Sequence, residues 1–141
     1  MMKKSNPILW MFLLLSVTVF SCQREKLDGE RAYLIGQWQW QKTLIFDGTQ
    51  ISAVDSILQD RPVTLVFKEK GVLYMDNNGQ KQTVNLQFDY ATCSNNSYCD
   101  YSINNGKYIM SISLSWGYLQ VRDFPYTSIN NLEYRNLFKK I

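Results

Sequence analysis

Strict alternation of apolar and polar side chains constrains the fold of this chain more than any other feature. In the first such segment, Gly36, Trp38 and Trp40 share one face and the intervening glutamines share the other. The range Tyr108–Trp116 is equally regular, with large apolar residues alternating largely with serine. A two-residue period predicts half-buried β-strands, because successive side chains of a strand point to opposite faces.

Tight turns separate these strand-like runs at intervals of about ten residues. Asn78-Gly79 and Asn105-Gly106 are strong hairpin signals, and Asp47-Gly48 and Lys70-Gly71 also punctuate the pattern. Short strands with tight turns predict an antiparallel meander, and closure removes its exposed edges. We therefore expect an all-β fold, a small antiparallel up-and-down β-barrel.

Two segments leave the strand count open. The range 51–58 fits a strand or a short helix, with neither period dominant. Beyond Tyr126 the apolar residues are irregularly spaced, which supports a closing strand only weakly. The number of strands and the closure of the barrel at its C-terminal side are therefore left undetermined.

The N-terminal region has the organisation of a signal peptide. Lys3 and Lys4 precede an apolar stretch over 8–20 that is too short for a stable membrane anchor and ends beside Cys22. Together with a resemblance of 19–22 to bacterial lipoproteins, these features predict a signal peptide over 1–21, a lipid anchor and charged tether over 22–32, and a single β-barrel domain over 33–141. The tether prediction depends on 23–31, which is charged and has no apolar period.

The residues Val19-Phe20-Ser21-Cys22 resemble the lipobox of bacterial lipoproteins, although Phe20 departs from the usual small residue. The resemblance implies cleavage before Cys22 and acylation of its thiol and new amino group by fatty acids such as palmitate. It also implies attachment to the bacterial cell envelope, at the outer membrane.

Two motifs resemble the lipocalin-like domains of bacterial lipoproteins. Leu34-Ile35-Gly36-Gln37-Trp38 is similar to their G-x-W opening, and Thr64–Gly71 is similar to their T-x-x-F strand with its following glycine. The resemblance implies that Gly36 lets the first strand bend and that Trp38 plugs one barrel end. A basic residue from a late strand would then cover that tryptophan, and we assign this role to Arg122.

The cysteine count predicts one disulfide. With Cys22 assigned to lipid, Cys93 and Cys99 remain as an even pair in an exported chain. Their spacing is not that of a C-x-x-C redox motif, and a zinc site would need further ligands that a chain without histidine supplies poorly.

Composition argues against several functions. The formal charge of +3 falls to +1 without Lys3 and Lys4, so no basic face for nucleic acid is expected. The absence of histidine excludes imidazole-based catalysis and histidine–metal sites. The aspartates fall largely at turns, where backbone geometry favours them. We expect no enzymatic activity, no metal and no cofactor.

Two functions from different classes remain. Aromatic residues either line a pocket for a small apolar ligand or fill a barrel whose outer surface binds an envelope protein or a glycan. The residues expected to line such a pocket are Trp40, Phe88, Tyr90, Tyr108 and Trp116. Separately, Asp55-Ser56-Ile57 fits a short motif that some bacteria O-glycosylate in envelope proteins, and Ser56 would be the residue that carries the sugar.

Overall fold

The computed structural model describes residues 24–55, 60, 62–95 and 97–141. Within them, a 3-10 helix, Gly29–Leu34, precedes ten β-strands. The strands are β1 (Gly36–Phe46), β2 (Ile51–Asp55), β3 (Val63–Lys68), β4 (Val72–Asn77), β5 (Gln80–Asn85), β6 (Phe88–Ser94), β7 (Tyr98–Ile103), β8 (Tyr108–Ser113), β9 (Tyr118–Arg122) and β10 (Glu133–Lys140).

The strands form one antiparallel sheet curled into a half-barrel. Their order is β5-β4-β3-β1-β10-β9-β8-β7-β6, and β2 pairs with β1 beside this path. The outermost strands, β5 and β6, are consecutive in the chain and are joined by Leu86 and Gln87 alone. One bent segment therefore pairs with β4 through its first half and with β7 through its second half. The predicted all-β, antiparallel fold is confirmed.

The first strand has the predicted orientation. Trp38 and Trp40 are each 1% exposed, whereas Gln37 and Gln39 face solvent. A register shift between Trp40 and Lys42 then brings Thr43 into the interior. Such a bulge adds one residue to a strand and reverses the faces beyond it, so the simple alternation ends at Trp40.

A second bulge corrects the prediction for Tyr90. The register of β6 against β7 shifts between Phe88 and Tyr90, which leaves Phe88 buried and Tyr90 52% exposed. The alternation Val84, Leu86, Phe88, Tyr90 suggested a continuous inward face. The bulge turns Tyr90 outward, and Ala91 packs against the core instead.

The predicted inward position of Trp116 is also wrong. Strand β8 ends at Ser113, and Trp116 lies in the following turn with 78% of its surface exposed. Gly117 in that turn has a φ of +64°, a conformation that favours glycine. The apolar alternation therefore continues through the sequence beyond the point at which the strand ends.

The C-terminal strand, which the sequence indicated only weakly, lies in the middle of the sheet. β10 pairs with β1 from Trp38↔Lys140 to Phe46↔Glu133, and with β9 on its other edge. Phe138 on β10 is fully buried. The ambiguous segment after Asp47-Gly48 begins as a strand, β2.

Candidate functional site

One end of the half-barrel is closed by the segment Arg24–Leu34, hereafter the plug. The Leu27 amide donates to the Glu69 carbonyl at 2.7 Å, and the Glu25 amide donates to the Leu86 carbonyl at 2.8 Å. Leu27 and Leu34 are fully buried and belong to the hydrophobic core. The predicted charged tether is therefore wrong over Arg24–Arg31, because Leu27 anchors this stretch in the core and the domain begins before residue 33.

Trp38 lies directly above the plug. Its indole Nε1 donates to the Leu34 carbonyl at 2.8 Å, so the buried ring has its hydrogen bond satisfied. The Lys140 ammonium lies 5.2 Å from the centre of the indole ring, and Lys140 Nζ also donates to the Tyr33 carbonyl at 3.4 Å. A cation above an aromatic face is attracted by the ring's quadrupole.

Lys140, not Arg122, is thus the basic residue that covers Trp38. Arg122 lies on the outer face of β9 and pairs with Glu133 at 3.3 Å. It points outward because its neighbour Val121 is buried in the interior. Gly36, with a φ of +132°, makes the cover possible, since a Cβ there would lie 2.7 Å from Lys140 Cε.

Further contacts fasten the plug to β6 and β7. The Tyr101 hydroxyl donates to the Glu30 carbonyl at 2.8 Å, and burial, followed by the charge of Glu30, raises the pKa of Tyr101 to about 12. The Arg31 guanidinium pairs with Glu25 and lies 4.5 Å from the centre of the Phe88 ring. The plug is therefore integral to the domain.

The opposite end is covered by the β9–β10 loop. Phe124 stacks on Phe138 with ring centres 6.4 Å apart, and the ring centres of Tyr126 and Trp40 lie 5.5 Å apart. Between the two ends, large side chains fill the interior. The largest fully buried ones are Trp38, Trp40, Tyr101, Phe67 and Phe138.

A hydrogen-bonded polar chain crosses this interior, and the sequence analysis missed it. Trp40 Nε1 donates to Thr43 Oγ1 at 3.1 Å, and that hydroxyl donates to Asn136 Oδ1 at 2.6 Å. Asn136 Nδ2 donates to the carbonyls of Val121 and Tyr126. All these polar groups have hydrogen-bond partners. The hydrogen bonds therefore hold β1, β9 and β10 against one another and leave no free donor for a ligand.

The five residues expected to line a ligand pocket do not form one. Trp40, Phe88 and Tyr108 are buried in the core, whereas Tyr90 and Trp116 are on the outside for the reasons given above. The predicted positions of Cys22 and Ser56 lie outside the described residues.

The disulfide is present as predicted. Cys93 and Cys99 are directly opposite in the pairing of β6 with β7, and their sulfur atoms are bonded. Cys99 is fully buried, so the bond fastens the core side of this hairpin as well as its surface loop.

The described surface includes two concave regions that could hold a ligand. The larger, of about 430 Å³, lies on the β3–β4–β5 wall and is called the wall pocket. It is lined by Thr64, Val66, Lys68, Tyr74, Met75, Asp76, Lys81, Gln82 and Thr83. The register places Val66, Tyr74 and Thr83 in one row across the strands, and Thr64, Asp76 and Lys81 in the next.

The second region, of about 340 Å³, is called the mouth cleft and lies beside Phe124. Its other lining residues are Met75, Asn77, Gln80, Lys81 and Gln82. Gln80 and Gln82 pair with inward-facing positions of β4, yet they are exposed. The wall is therefore incomplete along the free edge of β5.

Three aspartates accept hydrogen bonds from the backbone amides of turns, which is a structural role. Asp47 accepts hydrogen bonds from the amides of Thr49 and Gln50, and Asp76 accepts one from Gly79. Asp89, which the sequence analysis did not single out, accepts from Gly106, Asn105 and Ser102; the Gly106 amide contributes most to holding its pKa below the ordinary value.

In the described part of the chain, no three histidine, cysteine, aspartate or glutamate residues are grouped so as to hold a metal ion. The same residues contain no helix with the length and apolar character needed to cross a bilayer. Comparison of the chain with protein-family models, curated proteins and solved structures finds no match.

Proposed function

We propose that this protein is a bacterial lipoprotein, anchored to the outer membrane through acylated Cys22, whose lipocalin-like domain binds a neutral glycan at the wall pocket. It acts without catalysis. The observation that carries this proposal is the core of fully buried aromatic side chains, which favours the outer wall pocket over the interior as the place for a ligand.

The wall pocket has the size and chemistry for a polar ligand. Its volume of about 430 Å³ falls within the range of small-molecule sites. Tyr74 offers an aromatic surface that is 46% exposed. Around it, Thr64, Gln82 and Thr83 offer hydrogen-bonding groups. One acid and two lysines give no strong single charge, which favours a neutral, hydroxyl-rich partner over an ionic one.

A non-catalytic role is supported by chemistry that the chain lacks or uses elsewhere. There is no histidine to act as a general base near pH 7. Asp47, Asp76 and Asp89 are engaged by backbone amides in turns. Carboxylates held in this way serve as turn caps.

Anchoring is tested by the Cys22→Ala substitution. We expect the substituted protein to leave the membrane fraction or to retain its leader. Mass spectrometry of the unsubstituted protein should identify an acylated Cys22 as the first residue. Unchanged membrane association together with another mature N-terminus would refute the anchor.

Glycan binding is tested by titrating the purified protein with neutral oligosaccharides from bacterial envelopes. Tyr74→Ala should weaken binding about tenfold or more, as removal of a central aromatic contact does. Tyr90→Ala is the matched control, since Tyr90 is similarly exposed, at 52%, but lies on β6. Equal effects of the two substitutions would refute the wall pocket as the site.

Native mass spectrometry of detergent-free protein addresses the competing proposal of a small apolar ligand. A co-purifying apolar molecule, displaced by substitution of Phe124 or Met75 beside the mouth cleft, would favour that proposal instead.

A further inference from the structure

We infer that the plugged end of the half-barrel lies against the membrane surface, with an aromatic rim seated among the lipid headgroups. The inference rests on the proposed anchor at Cys22. It goes beyond anchoring because it assigns the domain one orientation and a lipid-contacting surface.

The first step is the length of chain between the anchor and the folded domain. Glu25 is already hydrogen-bonded to Leu86, and Gly71 packs so closely against Glu25 that a side chain at position 71 would collide with it. Cys22 precedes Arg24 by two residues, which span at most about 7 Å. An acylated Cys22 therefore holds the plug close to the bilayer, where a flexible tether would have let the domain move away.

The second step is the distribution of exposed apolar side chains. Nine large hydrophobic side chains of the described residues are exposed, and five of them belong to the plugged end. These five, called the rim, are Tyr33, Tyr98, Trp116, Tyr118 and Ile141. Trp116 is the most exposed of them, at 78%.

Strand register places the rim around the plug. Trp38, which is hydrogen-bonded to the plug, pairs with Lys140. The preceding residue, Lys139, pairs with Tyr118. Tyr118 pairs with Ser113, which in turn pairs with Tyr98. The Trp116 turn joins β8 to β9 at this same end. The Ile141 amide, finally, donates to the Gln37 carbonyl at 3.0 Å, which fixes Ile141 there.

The chemistry of the rim matches a headgroup layer. Tyrosine and tryptophan combine an apolar ring with a polar group and are enriched where a protein crosses from water to lipid. The exposed lysines Lys139 and Lys140 stand beside them and suit phosphate groups of lipids. Because the anchor keeps the rim at high effective concentration near the bilayer, even weak contacts become populated.

The test uses Trp116 as its own reporter in the acylated protein, reconstituted into vesicles of phosphatidylcholine and phosphatidylglycerol. Trp38 and Trp40 are buried, so Trp116 is the tryptophan of the described chain that aqueous iodide should reach in detergent solution. In vesicles we expect iodide quenching of Trp116 to fall by about half or more, and quenching by lipids with brominated acyl chains to appear. Trp116→Phe measures the background from the buried rings.

The matched control places a reporter at the opposite end. In the Trp116→Phe protein, Ile129→Trp introduces an indole at a site that is 55% exposed in the β9–β10 loop. Iodide should quench this reporter equally in detergent and in vesicles. Protection of both reporters, or of neither, would overturn the inferred orientation.

Flotation of the vesicles separates this inference from the proposed anchor. Protein that fails to float lacks the anchor, and the inferred orientation falls with it. Protein that floats while Trp116 stays accessible to iodide keeps the anchor and overturns the orientation. Protection that appears without vesicles and grows with protein concentration overturns it as well, because the rim would then be a contact between copies of the chain.

Discussion

Replacement of Trp38 tests the central contact of the plugged end. The ring is 1% exposed, its Nε1 donates to the Leu34 carbonyl at 2.8 Å, and Lys140 lies 5.2 Å from its centre. Trp38→Ala should lower the free energy of unfolding by about 3–5 kcal/mol, the usual cost of truncating a buried aromatic residue. Trp116→Ala, the exposed control, should cost less than about 0.5 kcal/mol.

Two milder substitutions separate the contributions of the hydrogen bond and of the Lys140 charge to this loss of stability. Trp38→Phe keeps an aromatic ring but leaves the Leu34 carbonyl without its donor, so a cost of about 1–3 kcal/mol is expected. Lys140→Met removes the charge above the ring and should cost about 0.5–1 kcal/mol, since the site is partly exposed. The Lys140 effect should largely disappear in the Trp38→Ala protein.

Urea unfolding of the mature chain, followed by circular dichroism, measures each of these free energies. A cost below about 1 kcal/mol for Trp38→Ala would refute the reasoning, because a ring so buried cannot be removed cheaply. Full additivity of the Trp38 and Lys140 substitutions would instead show that the ammonium does not interact with the indole.

Three further predictions concern stability. Asp89→Asn should make the free energy of unfolding depend less on pH in acid. The pKa of Asp89 is lowered in the folded protein, so its carboxylate stabilises the fold above the ordinary pKa and loses this effect as pH falls through the lowered pKa. Urea titrations at several pH values measure the difference. Asn136→Ala should cost about 2 kcal/mol or more by leaving Thr43 and two carbonyls unpaired, whereas an effect below about 0.5 kcal/mol in the same assay would contradict the buried polar chain. Replacing both Cys93 and Cys99 by alanine should lower the free energy of unfolding by about 2 kcal/mol. In thermal melts of the unsubstituted protein, reductant should likewise lower the melting temperature.

Local patterning predicted most strands because each depends on its own residues. The alternation around Trp38 requires only that one face of β1 be buried, and Asn78-Gly79 specifies its own turn. The two bulges, beyond Trp40 and before Tyr90, depend on how a partner strand is aligned, so the period alone could not reveal them.

Contacts between distant parts of the chain were the least predictable. Choosing Lys140 over Arg122 as the cover of Trp38 requires knowing that β10 pairs with β1, a contact between residues about a hundred positions apart. The burial of Arg24–Arg31 was not predicted, because Leu27 is the single apolar residue of that stretch among charges. The segment is held in the fold by the buried Leu27 side chain and by two backbone hydrogen bonds, one from the Leu27 amide and one from the Glu25 amide.

The proposed membrane surface and the proposed glycan site lie on different parts of the half-barrel. The β3–β4 turn, with Gly71, contacts the plug, whereas the β4–β5 turn, with Asn78-Gly79, lies at the other end of the same hairpin. If the plug faces lipid, the free edge of β5 and the mouth cleft face away from it. The wall pocket, between these two turns, then remains open to solvent beside the membrane. The proposed short anchor and the proposed ligand site are therefore compatible, because the residues inferred to contact the membrane are not those proposed to bind the glycan.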